Sequence, residues 1–266
     1  MVHATQPLPR LILSCWVVIA LFTAQSGHAK SHRPRLQRPR SGAQLVVGPT
    51  TVPLGGEVTE CSYFRLPTKH DTAVNKIDIK VQGGSHHVHL YRPNDPSVSV
   101  PDGSETCNRA LDFEQWGLIL ASQGGRLRWR LPAGVAFHFK AGEQLAAQTH
   151  YVDTGLLATE GAGWSIMNLH SIPERKVTAW AGSFFGQDRD VVVPPDASLP
   201  PGSVTTATTR CVFPHPVKVL AMTGHYHFRG TEFTASVWDG TNTGAQLYAN
   251  KGYREPAFVR FGENQP

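Results

Sequence analysis

The residues of this 266-residue chain best suited to chemistry are its 13 histidines. Three closely spaced groups stand out: Ser85-His86-His87-Val88-His89, Gln148-Thr149-His150-Tyr151 and Gly224-His225-Tyr226-His227. A neutral imidazole offers a lone pair that suits zinc and copper, so histidines gathered on one face can share an ion. On a strand, residues two apart face the same side, which would present His225 and His227 together as adjacent ligands. In the first group the same alternation pairs His87 with His89 and turns His86 away. His86 and His87 can then share an ion only at a bulge or a strand end. His150 alone would carry no such meaning; its interest comes from the other two groups.

The chain has 4 cysteines. Cys15 lies in an apolar N-terminal run, which leaves Cys61, Cys107 and Cys211, an odd number with no C-x-x-C pair to build a structural zinc site. Cys61 and Cys107 fall in the same half of the chain and are expected to pair; Cys211 lies beyond the proposed boundary between the halves.

The elements that must position these side chains read as strands. Short β-branched or alternating runs, separated by Gly, Pro, Asn and Asp, occupy 58–66, 74–82, 85–91, 126–131, 135–139, 163–170, 203–213, 217–227 and 231–238, a spacing typical of sandwiches and barrels. Residues 110–121, interrupted by Gly117, give the best helical pattern and predict at most a short helix or turn. The proline-rich stretch 171–202 divides the body near residue 173, giving expected domains over 43–173 and 174–266.

Ahead of the body, the apolar run 11–24 follows Arg10 and precedes small residues up to Ala29, the pattern of a secretory signal peptide over residues 1–29. The run is shorter than the roughly 20 residues of a bilayer span, so export without stable membrane insertion is expected. A basic, Pro-containing spacer follows over 30–42. The formal net charge is +5, but the six ionised side chains before residue 42 are all cations, and without them the body carries −1. A nucleic-acid-binding body is not expected from that balance.

In order along the chain come Cys61-Ser-Tyr-Phe-Arg-Leu-Pro67, the His86-His87 pair, Leu131-Pro-Ala-Gly-Val-Ala-Phe137, Gln148-Thr-His150-Tyr151, Thr209-Arg-Cys211 and His225-Tyr-His227. This succession, over roughly residues 55–260, resembles the copper type II, ascorbate-dependent monooxygenases, the family of the peptidylglycine α-hydroxylating and dopamine β-monooxygenases. The resemblance implies an all-β chain of two jelly-roll-like antiparallel β-sandwich domains, each holding one copper. It places one copper on His86, His87 and His150 and the other on His225, His227 and a methionine further along. It also implies hydroxylation of a C–H bond of a small-molecule substrate with O2, ascorbate being the electron donor.

The sequence departs from that pattern in three ways. No Met, Cys or His follows His227, and Met222 would face away from His225 on a regular strand. The second domain is expected to be truncated, with the methionine ligand and the partner of Cys211 missing and the second site weak. Thr223 stands where the peptide-amidating members place an arginine for the substrate carboxylate, so a peptide C-terminus is a poor match. The residues thus leave three readings open: a secreted copper monooxygenase, a non-catalytic secreted copper-binding module, and a structural β-sandwich adhesion domain with incidental histidines.

Overall fold

The computed structural model describes residues 35–82, 85–107, 114–152, 161–186, 202, 204–226, 229–253 and 256–262. The chain is all-β. A six-stranded sheet contains β1 (Gly42–Val52), β3 (Thr72–Val81), β7 (Arg126–Arg130), β8 (Val135–Phe139), β10 (Gly161–Ile172) and β11 (Ala179–Ala181). Its order is β1-β10-β3-β8-β11, with β7 also paired to β3. A five-stranded sheet contains β2 (Glu57–Arg65), β4 (Ser85–Pro93), β5 (Gly103–Thr106), β6 (Trp116–Gln123) and β9 (Gln144–Val152), in the order β5-β2-β9-β4-β6.

The two sheets face each other across one core. Alternation supplies it: Leu45 and Val47 from β1, Ile77 and Ile79 from β3 and Met167 and Leu169 from β10 meet Val88 and Leu90 from β4 and Leu145 and Ala147 from β9. Burial of these side chains, each Val, Leu, Ile or Met worth roughly 1.5–3 kcal/mol against exposure, is the main force closing the sandwich. A second cluster lies on the far face of the five-stranded sheet, where the Cys61–Cys107 disulfide packs with Tyr91, Trp116 and Ala146. That bridge is the pairing expected from the sequence.

Beyond residue 182 the described residues form β12 (Ala221–Met222) paired with β15 (Val259–Arg260), and the hairpin β13 (Phe233–Trp238) with β14 (Thr243–Asn250). Asp239 closes that hairpin by accepting from the Thr241 and Asn242 amides at 2.8 and 2.7 Å. Leu220, Ala221 and Phe258 pack against the sandwich core, Phe258 edge-on to Trp129 at 5.3 Å.

Two local expectations are corrected. The stretch 110–121 holds the start of β6 and no helix among its described residues; Gly117 is tolerated there because β6 is held by its ladder to β4. Residues 204–213 form no strand, and within 217–226 only Ala221–Met222 does. Their β-branched side chains lack a partner ladder, and Val204 and Val212 are left 93% and 78% exposed. Among the described residues no helix is long and apolar enough to cross a membrane. The expected signal segment 1–29 and residues 30–34 of the spacer lie outside the described residues.

Candidate metal centre

Three strands and one loop build the centre on the outward face of the five-stranded sheet. β9 runs between β2 and β4, and its register sets His150 opposite His87 and Gln148 opposite His89. On its other side Thr59 and Cys61 face the same two β9 residues. β6 sets Gln123 opposite His87 and Ala121 opposite His89. One row of the sheet therefore reads Thr59, His150, His87, Gln123, and the next reads Cys61, Gln148, His89, Ala121.

The register of β4 against β9 slips between Ser85 and His87. Two residues of β4 thus span one step of β9, which makes His86 the extra residue of a bulge, and a bulge re-aims its side chain. The His86 ring consequently lies beside those of its neighbours, 5.4 Å from His87 and 5.1 Å from His150 between centroids. Nδ1 of His86 stands 3.2 Å from Nδ1 of His87. His87 and His89, two apart on the strand, stack at 4.2 Å with 12° between their planes.

His225 arrives from the far end of the chain. It lies in irregular backbone after β12, so the strand geometry expected for the His-x-His pair is not what places it. Gly224 seats the segment against the Phe233–Tyr248 ring pair; a Cβ there would stand 2.7 Å from Phe233 Cδ1. The His225 ring sits 5.3 Å from His87, 5.6 Å from His89 and 5.8 Å from His86. Its Nδ1 is hydrogen-bonded to the side-chain amide of Gln123. His227 lies outside the described residues.

Two trios result, His86/His87/His150 and His87/His89/His225, the ligand atoms of each lying within 4.8 Å of one another. The first is the set that the sequence resemblance assigned. The second joins His89, which alternation had paired with His87, to a histidine more than 130 positions away. His87 belongs to both, so the two sets overlap.

The surroundings favour neutral, lone-pair-bearing rings. Burial, followed by the nearby imidazoles of His89, His225, His150 and His86, holds His87 well below the ordinary histidine value. His89 is brought down to about 4, by burial first and then by His86, against the raising effect of the neighbouring Gln148 side chain. Nδ1 of His89 contacts the buried Tyr91 hydroxyl at 3.1 Å. With Nδ1–H donating to that oxygen, the Nε2 lone pair is free, and this buried atom has no hydrogen-bond partner among the described residues. A buried polar atom without a partner is costly in a folded protein, and a metal ion at that nitrogen would remove the cost. On that test the residues fit a soft or borderline cation that accepts imidazole.

Outer groups orient the rings. Glu57 lies 3.1 Å from His150 Nε2; in the tautomer that donates to this carboxylate, Nδ1 carries the lone pair. Gln148, opposite His89 in the register, points its Nε2 at Cys61 Sγ and Cys107 Sγ, at 3.9 and 3.8 Å, tying the disulfide to the centre. Sequence patterns gave no sign of Glu57 or Gln123, because both reach the site through cross-strand register or a loop contact. An open cleft lined by His70, Asp71, His138 and Trp180 belongs to the other sheet and is separate from the centre.

No protein-family model matches the chain, and no curated protein does.

Proposed function

We propose that this chain is an exported copper protein that hydroxylates a C–H bond of a small-molecule substrate, consuming O2 and taking two electrons from ascorbate. The convergence of His86, His87, His89, His150 and His225 on one sheet face carries this reading. Bound copper supplies one-electron transfer between two oxidation states and reactivity toward O2. The substrate C–H gains one oxygen atom as hydroxyl, and the second oxygen, two protons and the two electrons leave as water.

The chain's own residues prepare the site for this. Burial of His87 and His89 keeps both rings unprotonated near neutral pH and excludes water from that side. Glu57, Tyr91, Gln148 and Gln123 fix ring orientation, which preserves ligand geometry when the charge on the site changes. The Cys61–Cys107 bridge supports an oxidising destination, in keeping with export after removal of residues 1–29.

The donor set favours a second reading, a copper-binding module without oxygen chemistry. Among the described residues only imidazoles gather at the centre, while Met167 is buried in the sandwich core and Met222 lies in β12. Oxygen uptake separates the two. Copper-loaded chain with ascorbate and a panel of benzylic and aliphatic substrates should consume O2 in step with product, and His87→Ala should abolish that coupling. Firm copper binding without substrate-coupled uptake would establish the second reading and overturn the first. Zinc bound in preference to copper would remove both.

A further inference from the structure

On the opposite side of the sandwich, the outer face of the six-stranded sheet carries a concentration of positive charge that the metal centre does not use. Alternation in β7 buries Leu127 and Trp129 and exposes Arg126, Arg128 and Arg130. In β3 it turns Ile77 and Ile79 inward and Lys76, Asp78 and Lys80 outward. The antiparallel register then sets Lys76 directly opposite Arg130 and Lys80 directly opposite Arg126. Like charges facing each other across a ladder destabilise a sheet, so this arrangement works against the fold that contains it.

The two strands offset it only in part, with Asp78 opposite Arg128 in the same register. Their only carboxylate is Asp78, which is taken by Lys76 at 2.7 Å and His170 at 2.9 Å. The guanidinium groups of Arg126, Arg128 and Arg130 make no ion pair or hydrogen bond among the described residues. Two further cations border the face. Exposed Arg35 lies where its carbonyl accepts from Lys80 Nζ at 3.5 Å, and Arg260 reaches the Arg128 carbonyl. This clustering occurs on a body whose net charge is −1, so it is a local segregation of charge and no reflection of overall composition.

We infer that this face, with Arg126, Arg128 and Arg130 as its spine, binds a linear sulfated polysaccharide. Alternate residues of a strand are about 7 Å apart and neighbouring strands about 5 Å, so the cations form a narrow, flat strip about 14 Å long, suited to an extended polyanion. Arginine forks grip oxyanions with two parallel hydrogen bonds, which a sulfate group accepts. A single-stranded nucleic acid would need aromatic platforms for its bases, and the one aromatic of β7, Trp129, is packed inward between Phe137 and Phe258. An anionic bilayer surface would be held by apolar side chains among the cations, and here Leu127 and Trp129 are both buried. The disulfide-permissive compartment indicated by Cys61–Cys107 is where sulfated polysaccharides are met.

The probe is heparin, titrated with the full chain at several salt concentrations beside the triple variant Arg126→Ser/Arg128→Ser/Arg130→Ser. Binding should weaken with salt, and the triple variant should bind at least tenfold more weakly, its log–log salt slope shallower by about 2 from roughly 0.7 counterions per contact. Lys76→Ser/Lys80→Ser gives a second route if the triple variant melts early, and should cost affinity in the same direction. Desulfated heparin, which keeps its carboxylates, should bind poorly. Unchanged affinity in both variants would overturn the inference. So would tighter binding to single-stranded DNA or to phosphatidylserine vesicles than to heparin, because the partner class would then be wrong. Copper content should be unaffected by either variant, so failure here leaves the metal centre standing and failure there leaves this face standing.

Discussion

Replacing His87 by alanine tests the overlap of the two trios most directly. His87 is 6% exposed and contributes to both ligand sets, so the variant reduces each from three ligands to two. Loss of an outer hydrogen-bond partner typically costs 10- to 100-fold in metal affinity, and loss of a ligand costs at least the upper end of that range. At a copper concentration about 100 times the wild-type Kd, binding contributes about 2.7 kcal/mol of stability, and a 100-fold weaker variant loses most of it. For a chain of this size that corresponds to a copper-induced rise in Tm smaller by about 5–10 °C. His86→Ala and His225→Ala each leave one trio whole and should retain one copper within a fewfold of the wild-type affinity. The assay is copper competition against a chromogenic chelator, with melting curves run with and without the metal. If His87→Ala kept wild-type affinity while His86→Ala or His225→Ala lost it, the shared-ligand geometry would be refuted.

The remaining predictions draw on other parts of the structure. Metal-free protein should lose stability as pH falls from 6.5 toward 4: His89 titrates near 4 when folded and near 6.5 when unfolded, so the unfolded chain binds the extra proton, a difference of roughly 3 kcal/mol that denaturant melts across this range should register. A flat profile would show that His89 is not held neutral. Reducing Cys61–Cys107, which closes a loop with a sequence separation of 46, should cost roughly 4 kcal/mol. It should also weaken copper binding, because Gln148 loses its seat; weakened stability with untouched copper affinity would break the proposed link. Gly224→Ala puts a methyl group into the Phe233 ring and should weaken copper held by His87, His89 and His225 while sparing His86, His87 and His150, as read from copper titration of the variant in a His86→Ala background against the His86→Ala parent.

Much of the sandwich could be read directly from side-chain patterns, and the exceptions have local causes. β3, β4, β7 and β8 alternate or are β-branched, and their runs matched the strands closely. β1 escaped because Gly48-Pro49 interrupts it; the sheet absorbs that pair as a register shift between Val47 and Thr50. β9 escaped because Ala146, Ala147 and Gln148 have weak strand preference, and its central position between β2 and β4 decides the matter. At the centre, histidine spacing singled out His86, His87, His150 and His225. Alternation also raised the pairing of His87 with His89, but only three-dimensional packing could bring His225 to them. Glu57 and Gln123 were silent because nothing in a linear pattern states which residues face each other across a sheet.

The bulge in β4 has a consequence for insertions and deletions. Loss of one residue from a strand ordinarily turns every later side chain to the opposite face and ruins the core. At position 86 the chain already carries one residue more than the ladder requires, since Ser85 pairs with Tyr151 and His87 with His150. Deleting His86 would therefore regularise the pairing and leave Val88 and Leu90 in the core and His87 and His89 on the outer face. One ligand set would lose a member while the other stayed intact, so in-frame loss of a single codon would move the chain from two overlapping trios to one without passing through an unfolded intermediate.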